Sequence, residues 1–247
     1  MLIQMIDTHC HILPDIDDGP RTKEGAMRMA MEAVNLGIHT IVATPHHGTK
    51  RFNNTAAQIE RRVKQMNKAL QSKRISLTIL PGQEFRLNAD FRHQIRKGHA
   101  RTLANSHYLL TELPARNIPE YFQDFLNFMS RSSLGVIIAH PERNSAIIRN
   151  PEVLQNWISQ GVILQVTTQA LVGFFGEGPR QTASYICRQR WAQLIASDAH
   201  DSYQRTFYYR EGLQKIEEIC GVAYVEELQK NAEAVIRGRQ IGAQGWI

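Results

Sequence analysis

Cysteine is scarce in this 247-residue chain, with only Cys10, Cys187 and Cys220. They are odd in number, widely spaced and outside any Cys-x-x-Cys pattern, which argues against a disulfide framework and against a thiolate zinc knuckle. No apolar run approaches the roughly 18 residues of a membrane span. The N-terminus has neither the basic start nor the apolar stretch of a secretory signal, so a cytoplasmic location without membrane insertion is expected. Low-complexity tracts, internal repeats and linkers are also missing, and one domain over residues 1–247 is the economical reading. The net charge of +6 favours acidic partners without choosing among nucleic acid, phosphorylated small molecules and acidic peptides. Runs of five or more basic residues are absent. The short clusters Lys50-Arg51, Arg61-Arg62, Lys73-Arg74 and Arg96-Lys97 read as solvated faces. With no long basic stripe interleaved with aromatics, no nucleic-acid partner is expected.

What the chain does contain is a set of nine potential metal ligands, nearly all placed just after a short apolar run. They are His9 and His11 in IDTHCH, Asp18 in DDG, His46 in TPHH, Glu84 in GQE, Glu112 in LLTEL, His140 in IIAHPER, and Asp198 and His200 in IASDAH. The apolar runs read as strands at about 2–8, 38–44, 76–81, 107–112, 135–140, 162–167 and 193–197. Helical patterns lie between and after them at 22–36, 55–71, 89–97, 119–131, 151–159, 180–190, 205–219 and 225–237. Gly37, Gly98, Gly161 and Gly238 stand where helix C-caps are expected. Seven strands alternating with helices predict an α/β fold, a parallel (β/α)7 barrel.

Such a barrel gathers the C-terminal ends of its strands on one face, so residues distant in sequence can form one site. His-x-His in an extended segment points both imidazoles to one side, and Asp198-x-His200 repeats the device. Cys10 should then point away from the ligands. Imidazoles and carboxylates without thiolate suit Mn²⁺, Fe or Zn²⁺. Asp17 could take the place of Asp18, and Glu112 could pair with a nearby arginine instead of a metal. Of His46 and His47, adjacent on an extended segment, at most one should reach the site. Asp7 is expected to support a ligand or hold the strand end. His39, His93, His99 and His107 read as structural or solvated. The stretch Gln165–Gln169 followed by 171–176 is either a wall of the substrate pocket or a surface turn with a partly buried aromatic pair.

The ordered motifs THCH, DDG, TPHH, GQE, TEL, AHPER and SDAH resemble the polymerase-and-histidinol-phosphatase (PHP) superfamily. Within it, MIDTHCHILPDIDDGP with IAHPER and ASDAH is most similar to the manganese-dependent bacterial tyrosine-protein phosphatases of capsule and exopolysaccharide clusters. The resemblance runs from about Met5 to Arg205. It implies a distorted seven-stranded barrel and three divalent ions, usually Mn²⁺, with Fe or Zn²⁺ as other occupants. It further implies that His9, His11, Glu84 and Asp198 hold one ion, Glu84, Glu112 and His140 a second, and Asp18, His46 and His200 a third. A functional arginine is implied at Arg143, and Arg205 is a second phosphate-binding candidate. The plain alternative for Arg143 is that it pairs with Glu142 or caps the next helix.

Three divalent ions would outweigh the four carboxylates Asp18, Glu84, Glu112 and Asp198, leaving a positive site that attracts a phosphate dianion. A water acidified by such ions can attack phosphorus without a protein nucleophile. That fits the lack of a Cys-x5-Arg loop, since no cysteine here has an arginine at that spacing. The implied activity is phosphotyrosine hydrolysis, on the Tyr-rich tail of an autophosphorylating kinase of polysaccharide synthesis. The competing readings are a histidinol-phosphate phosphatase, a nuclease or proofreading module, and a phosphopeptide-binding protein without turnover.

Overall fold

In a computed structural model, described over residues 5–241, β1 (Met5–Cys10), β2 (Ile38–Ala43) and β4 (Thr78–Pro81) form a three-stranded sheet in the order β1-β2-β4. A six-stranded sheet has the order β3-β5-β6-β7-β8-β9. Its strands are β3 (His46–His47), β5 (Glu84–Arg86), β6 (Tyr108–Glu112), β7 (Gly135–Ala139), β8 (Ile163–Thr167) and β9 (Leu194–Ala196). Every pairing is parallel.

The helices are α1 (Lys23–Asn35), α2 (Ala56–Ser72), α3 (Phe91–Arg96), α4 (Phe122–Arg131), α5 (Ser145–Arg149), α6 (Val153–Ser159), α7 (Thr168–Leu171), α8 (Glu177–Arg188), α9 (Tyr209–Cys220) and α10 (Val222–Ile236). Thr22 and Thr55 start α1 and α2 as N-caps, each hydroxyl accepting from the backbone N–H three residues on. The four glycines expected after helices all have positive φ. None of the described helices is long and apolar enough to cross a membrane.

The parallel α/β architecture agrees with the sequence, but the expected seven strands occur as nine segments in two sheets. The breaks fall at Thr44-Pro45, between β2 and β3, and at Gly82-Gln83, between β4 and β5. Proline has no N–H for a ladder. At Gly82 a Cβ would stand 2.6 Å from Val42 Cγ1 and 2.9 Å from Leu103 Cδ2, so only hydrogen fits. Gly82→Ala is expected to cost about 1–3 kcal/mol through overpacking, lowering the melting temperature by roughly 2–10 °C. A melt unchanged to within a degree would show that the strand can yield there.

The two sheets meet where β1 and β9 end. His11 N–H donates to the Ala199 carbonyl at 2.9 Å, and Asp198 N–H donates to the His9 carbonyl at 2.9 Å. Buried Leu, Ile, Val and Phe side chains fill three clusters, one on the six-stranded sheet, one on the three-stranded sheet, and a third to which Ile6 and Val42 of one sheet and Leu110, Ile137, Ile163 and Leu194 of the other contribute. Cys10 is fully buried in one of them, its thiol 3.6 Å from the Ala199 carbonyl and directed away from the histidines, as alternation requires.

Candidate metal centre

The C-terminal ends of the strands bring the nine expected residues together around Glu84. One of its oxygens, Oε1, lies 2.8 Å from His140 Nε2; the other, Oε2, lies 2.8 Å from His46 Nδ1, 3.4 Å from His11 Nε2 and 3.6 Å from His9 Nε2. Asp198 Oδ1 is 3.2 Å from His9 Nε2 and 3.3 Å from His11 Nε2. Asp18 Oδ1 is 3.4 Å from His46 Nε2 and 3.3 Å from His200 Nε2. Four groups have ligand atoms within 4.8 Å of one another: His11, Asp18, His46 and His200; His9, His11 and Glu84; His9, His140 and Asp198; His46, Glu84 and Glu112. The first contains the trio Asp18, His46 and His200. Glu112 and His140 fall in separate groups, and Glu112 Oε2 meets Arg86 Nη1 at 2.7 Å.

The donor set fits cations. His9 Nδ1 faces Gln165 Oε1 at 2.8 Å, His11 Nδ1 faces Asp17 Oδ2 at 2.7 Å, and His200 Nδ1 faces the Asp198 carbonyl at 2.9 Å. Each Nδ1–H donates outward, which leaves Nε2 as a lone pair aimed into the cluster. His9 Nε2 and His11 Nε2 thus confront each other at 3.3 Å. Glu84 Oε2 and His46 Nδ1 are close but lack hydrogen-bond angles, and with His200 Nε2 they are buried without a partner. Buried polar atoms are otherwise nearly always satisfied, and a shared cation would satisfy these.

Without ions the groups neutralise one another. Burial opposes charge on Glu84, yet His46, His9, His11 and His140 hold its pKa well below the usual carboxylate range. Asp198 is likewise buried and held well down, chiefly by His9 and His200. On His11 burial is overcome by Asp17, aided by Asp198 and Glu84, and the pKa is held well above that of free imidazole.

Backbone strain accompanies the chemistry. His140 has φ 34° and Asp198 φ 55°, left-handed conformations that only a few per cent of residues other than glycine adopt. Such outliers gather at functional sites, where the surroundings over-determine them.

The surrounding residues bear on several alternatives. Asp17 is buried against His11, and also accepts from the N–H groups of Gly19 and His46, so Asp18 is the carboxylate left facing His46 and His200. Gly19 keeps this loop close, since a Cβ there would lie 2.2 Å from the His11 carbonyl oxygen. Asp17→Asn is expected to weaken divalent-ion affinity about 10- to 100-fold through loss of His11 orientation. Isothermal titration would check this, and an unchanged affinity would reduce Asp17 to a loop residue. His47 turns away, its Nδ1 on the Asn54 carbonyl at 2.8 Å. Asp7, whose pKa burial raises to about 6, accepts from Ser197 N–H and Oγ and from His9 N–H, tying β1 to the end of β9.

Arg143 and Arg205 converge on the outer oxygen of Asp198. Arg143 Nη1 lies 2.5 Å and Arg205 Nη2 2.9 Å from Oδ2, while Oδ1 faces the histidines. Arg143 does not pair with Glu142, whose Oε1 accepts from Thr167 N–H and Oγ1, nor does it cap α5, which Asn144 caps. Phe175 lies against both guanidiniums, with Arg143 Cζ 4.3 Å and Arg205 Cζ 5.9 Å from its ring centre. The 171–176 stretch thus lies against both arginines through Phe175, with Phe174 exposed beside it at 5.0 Å. On the other side lies a cavity of about 520 Å³, lined by Asp18, His46, Phe52, Arg86, Glu112 and Tyr121 among others. The sequence pointed to Gln165 and Phe175 only as parts of a pocket wall or surface turn, and their contacts with His9 and with the two arginines were not expected.

Comparison with known proteins places this site in context. The sequence pattern described as "Capsular polysaccharide synthesis, CpsB/CapC" matches residues 5–237. The tyrosine-protein phosphatase YwqE of Bacillus subtilis is 35% identical over 240 residues, covering 97% of this chain and 94% of that protein. The putative tyrosine-protein phosphatase CapC of Staphylococcus aureus is 33% identical over 243 residues, again covering 97% and 94%. A crystal structure from work on YwqE and Streptococcus pneumoniae CpsB, described as unique metal-dependent tyrosine phosphatases, superposes with a TM-score of 0.93 at 34% identity over 97% of each chain. The ligand motifs, the parallel fold and these full-length likenesses agree: the chain belongs to the CpsB/CapC family of capsular polysaccharide synthesis.

Proposed function

We propose that this chain is a metal-dependent protein-tyrosine phosphatase in which His9, His11, Asp18, His46, Glu84, Glu112, His140, Asp198 and His200 hold three divalent ions. The observation that carries the reading is the convergence of four imidazoles, those of His9, His11, His46 and His140, on one buried carboxylate, with buried nitrogen and oxygen atoms left unpartnered. Bound there, such ions would supply Lewis acidity and a water acidified toward neutral pH. Mn²⁺ is the proposed occupant on the family resemblance, and the donor set of nitrogen and carboxylate oxygen without sulfur accommodates it as it does Fe or Zn²⁺.

The chain's own groups do the rest. Arg143 and Arg205 sit about 3 Å or less from an oxygen at the edge of the cluster, where their forks can take up phosphate oxygens. Phe175 restrains both guanidiniums and gives the pocket an aromatic edge against which a phenyl ring can pack. The proposed substrate is phosphotyrosine in a flexible, anionic protein segment, the tail of an autophosphorylating kinase of polysaccharide synthesis. The proposed setting is the cytoplasm, and the two sheets are taken as one distorted seven-stranded barrel in a single domain.

Initial rates on a phosphotyrosine peptide, a phosphoserine peptide and histidinol phosphate, with Mn²⁺ present, test this. Phosphotyrosine should be preferred by about tenfold or more, since its phenyl ring can pack on the aromatic edge that Phe175 provides. Preference for histidinol phosphate would move the protein to amino-acid biosynthesis.

A further inference from the structure

The positive charge of this chain is concentrated in one place. Residues 21–74 contain eleven Lys and Arg against three Asp and Glu, so this stretch accounts for more than the whole net charge of +6. It spans α1, β2, β3 and α2. Between α1 and the C-terminal half of α2 run two adjoining cavities of about 470 and 570 Å³, which share Lys23, Ala69 and Ser72. Lys23, Arg28, Arg62, Lys68 and Lys73 line them, with Glu24 the one carboxylate among the lining residues. None of these five cations makes an ion pair among the described residues. The floor is apolar, built from Met27, Met66 and Ile75, and Met31 at its edge is 47% exposed.

A merely solvated face would intersperse both signs, as the rest of the surface does. Unpaired cations over a methionine floor form a surface that attracts acidic side chains and packs apolar ones between them. The groove also adjoins, along the chain, a loop of the metal centre. Pro14 and Lys23 line it, and they flank the loop that carries Asp17 and Asp18. We propose that this groove docks an acidic segment of the protein substrate, a few residues away from the phosphotyrosine being hydrolysed. Its choice of occupant rests on the phosphatase reading above; the anionic chemistry is the same whether carboxylates or further phosphates supply it.

The test uses the full-length, Mn²⁺-loaded chain and the variant Lys23→Glu with Lys68→Glu and Lys73→Glu, all exposed positions outside the metal centre. Binding of a fluorescent Asp/Glu-rich peptide, and of the same peptide length bearing phosphotyrosines, should weaken about tenfold or more in the variant. The triple Lys→Arg variant should bind like wild type. On a phosphotyrosine peptide with an acidic flank KM should rise by a similar factor, while turnover of phenyl phosphate stays unchanged. Equal binding by wild type and the Glu variant would overturn the proposal, as would tighter binding of single-stranded DNA or phosphatidylserine vesicles than of either peptide. Failure of wild type on phenyl phosphate would instead count against the phosphatase reading, because the binding arms do not depend on turnover.

Discussion

Glu84→Gln is expected to lower kcat/KM on a phosphotyrosine peptide by about 10³-fold or more. Glu84 is fully buried and is approached by His9, His11, His46 and His140 through its two oxygens. Glutamine keeps the shape but supplies no charge, so it cannot neutralise neighbouring cations. Positioned divalent ions contribute several kcal/mol of transition-state stabilisation, and each 1.36 kcal/mol is a factor of ten in rate. Bound metal per chain should fall in parallel, while the far-UV circular dichroism stays that of wild type. Retained metal and activity would show that the imidazoles suffice without the central carboxylate. Global unfolding of the variant would give Glu84 a structural role.

Arg143→Ala is expected to lower kcat/KM about 10²- to 10³-fold at saturating metal, the usual loss when one preorganised donor to developing charge is removed. Arg143→Lys should recover no more than about a tenth of wild-type activity, because an ammonium cannot place two parallel N–H groups on one phosphate. The geometry offers a competing role, since Arg143 Nη1 lies 2.5 Å from Asp198 Oδ2 and could serve only to orient that carboxylate. Measuring rate and metal affinity separately distinguishes the two. If Arg143→Ala weakens metal binding but restores full kcat once metal is saturating, Arg143 positions Asp198 and does not touch phosphate. Arg205, which shares Asp198 Oδ2 and lies farther from Phe175, should show a smaller loss in the same assay.

The strands were legible because their apolar runs are bounded by polar residues or glycines, and the residues that gather around Glu84 because they stand at those boundaries. His9 and His11, two apart on β1, follow directly from the strand period. The two breaks in the strands were less visible, since Pro45 and Gly82 each interrupt pairing for a reason that depends on a neighbouring strand. Helices α5 and α7 have five and four residues, too few to show a helical period. The choice between Asp17 and Asp18 could not be made from composition. Backbone hydrogen bonds to Gly19 and His46 turn Asp17 inward beneath His11 and leave Asp18 at the mouth. Gln165, 156 residues from His9, and Phe175, against Arg143, act through contacts that only the folded chain creates.

The most direct test is a titration of Mn²⁺ into metal-stripped protein, with bound ions per chain and hydrolysis of a phosphotyrosine peptide followed in the same samples. The nine-residue centre predicts almost no hydrolysis at the start, activity that climbs with occupancy, and saturation near three ions per chain. Full activity in the stripped protein, or saturation of metal binding without hydrolysis, would contradict it.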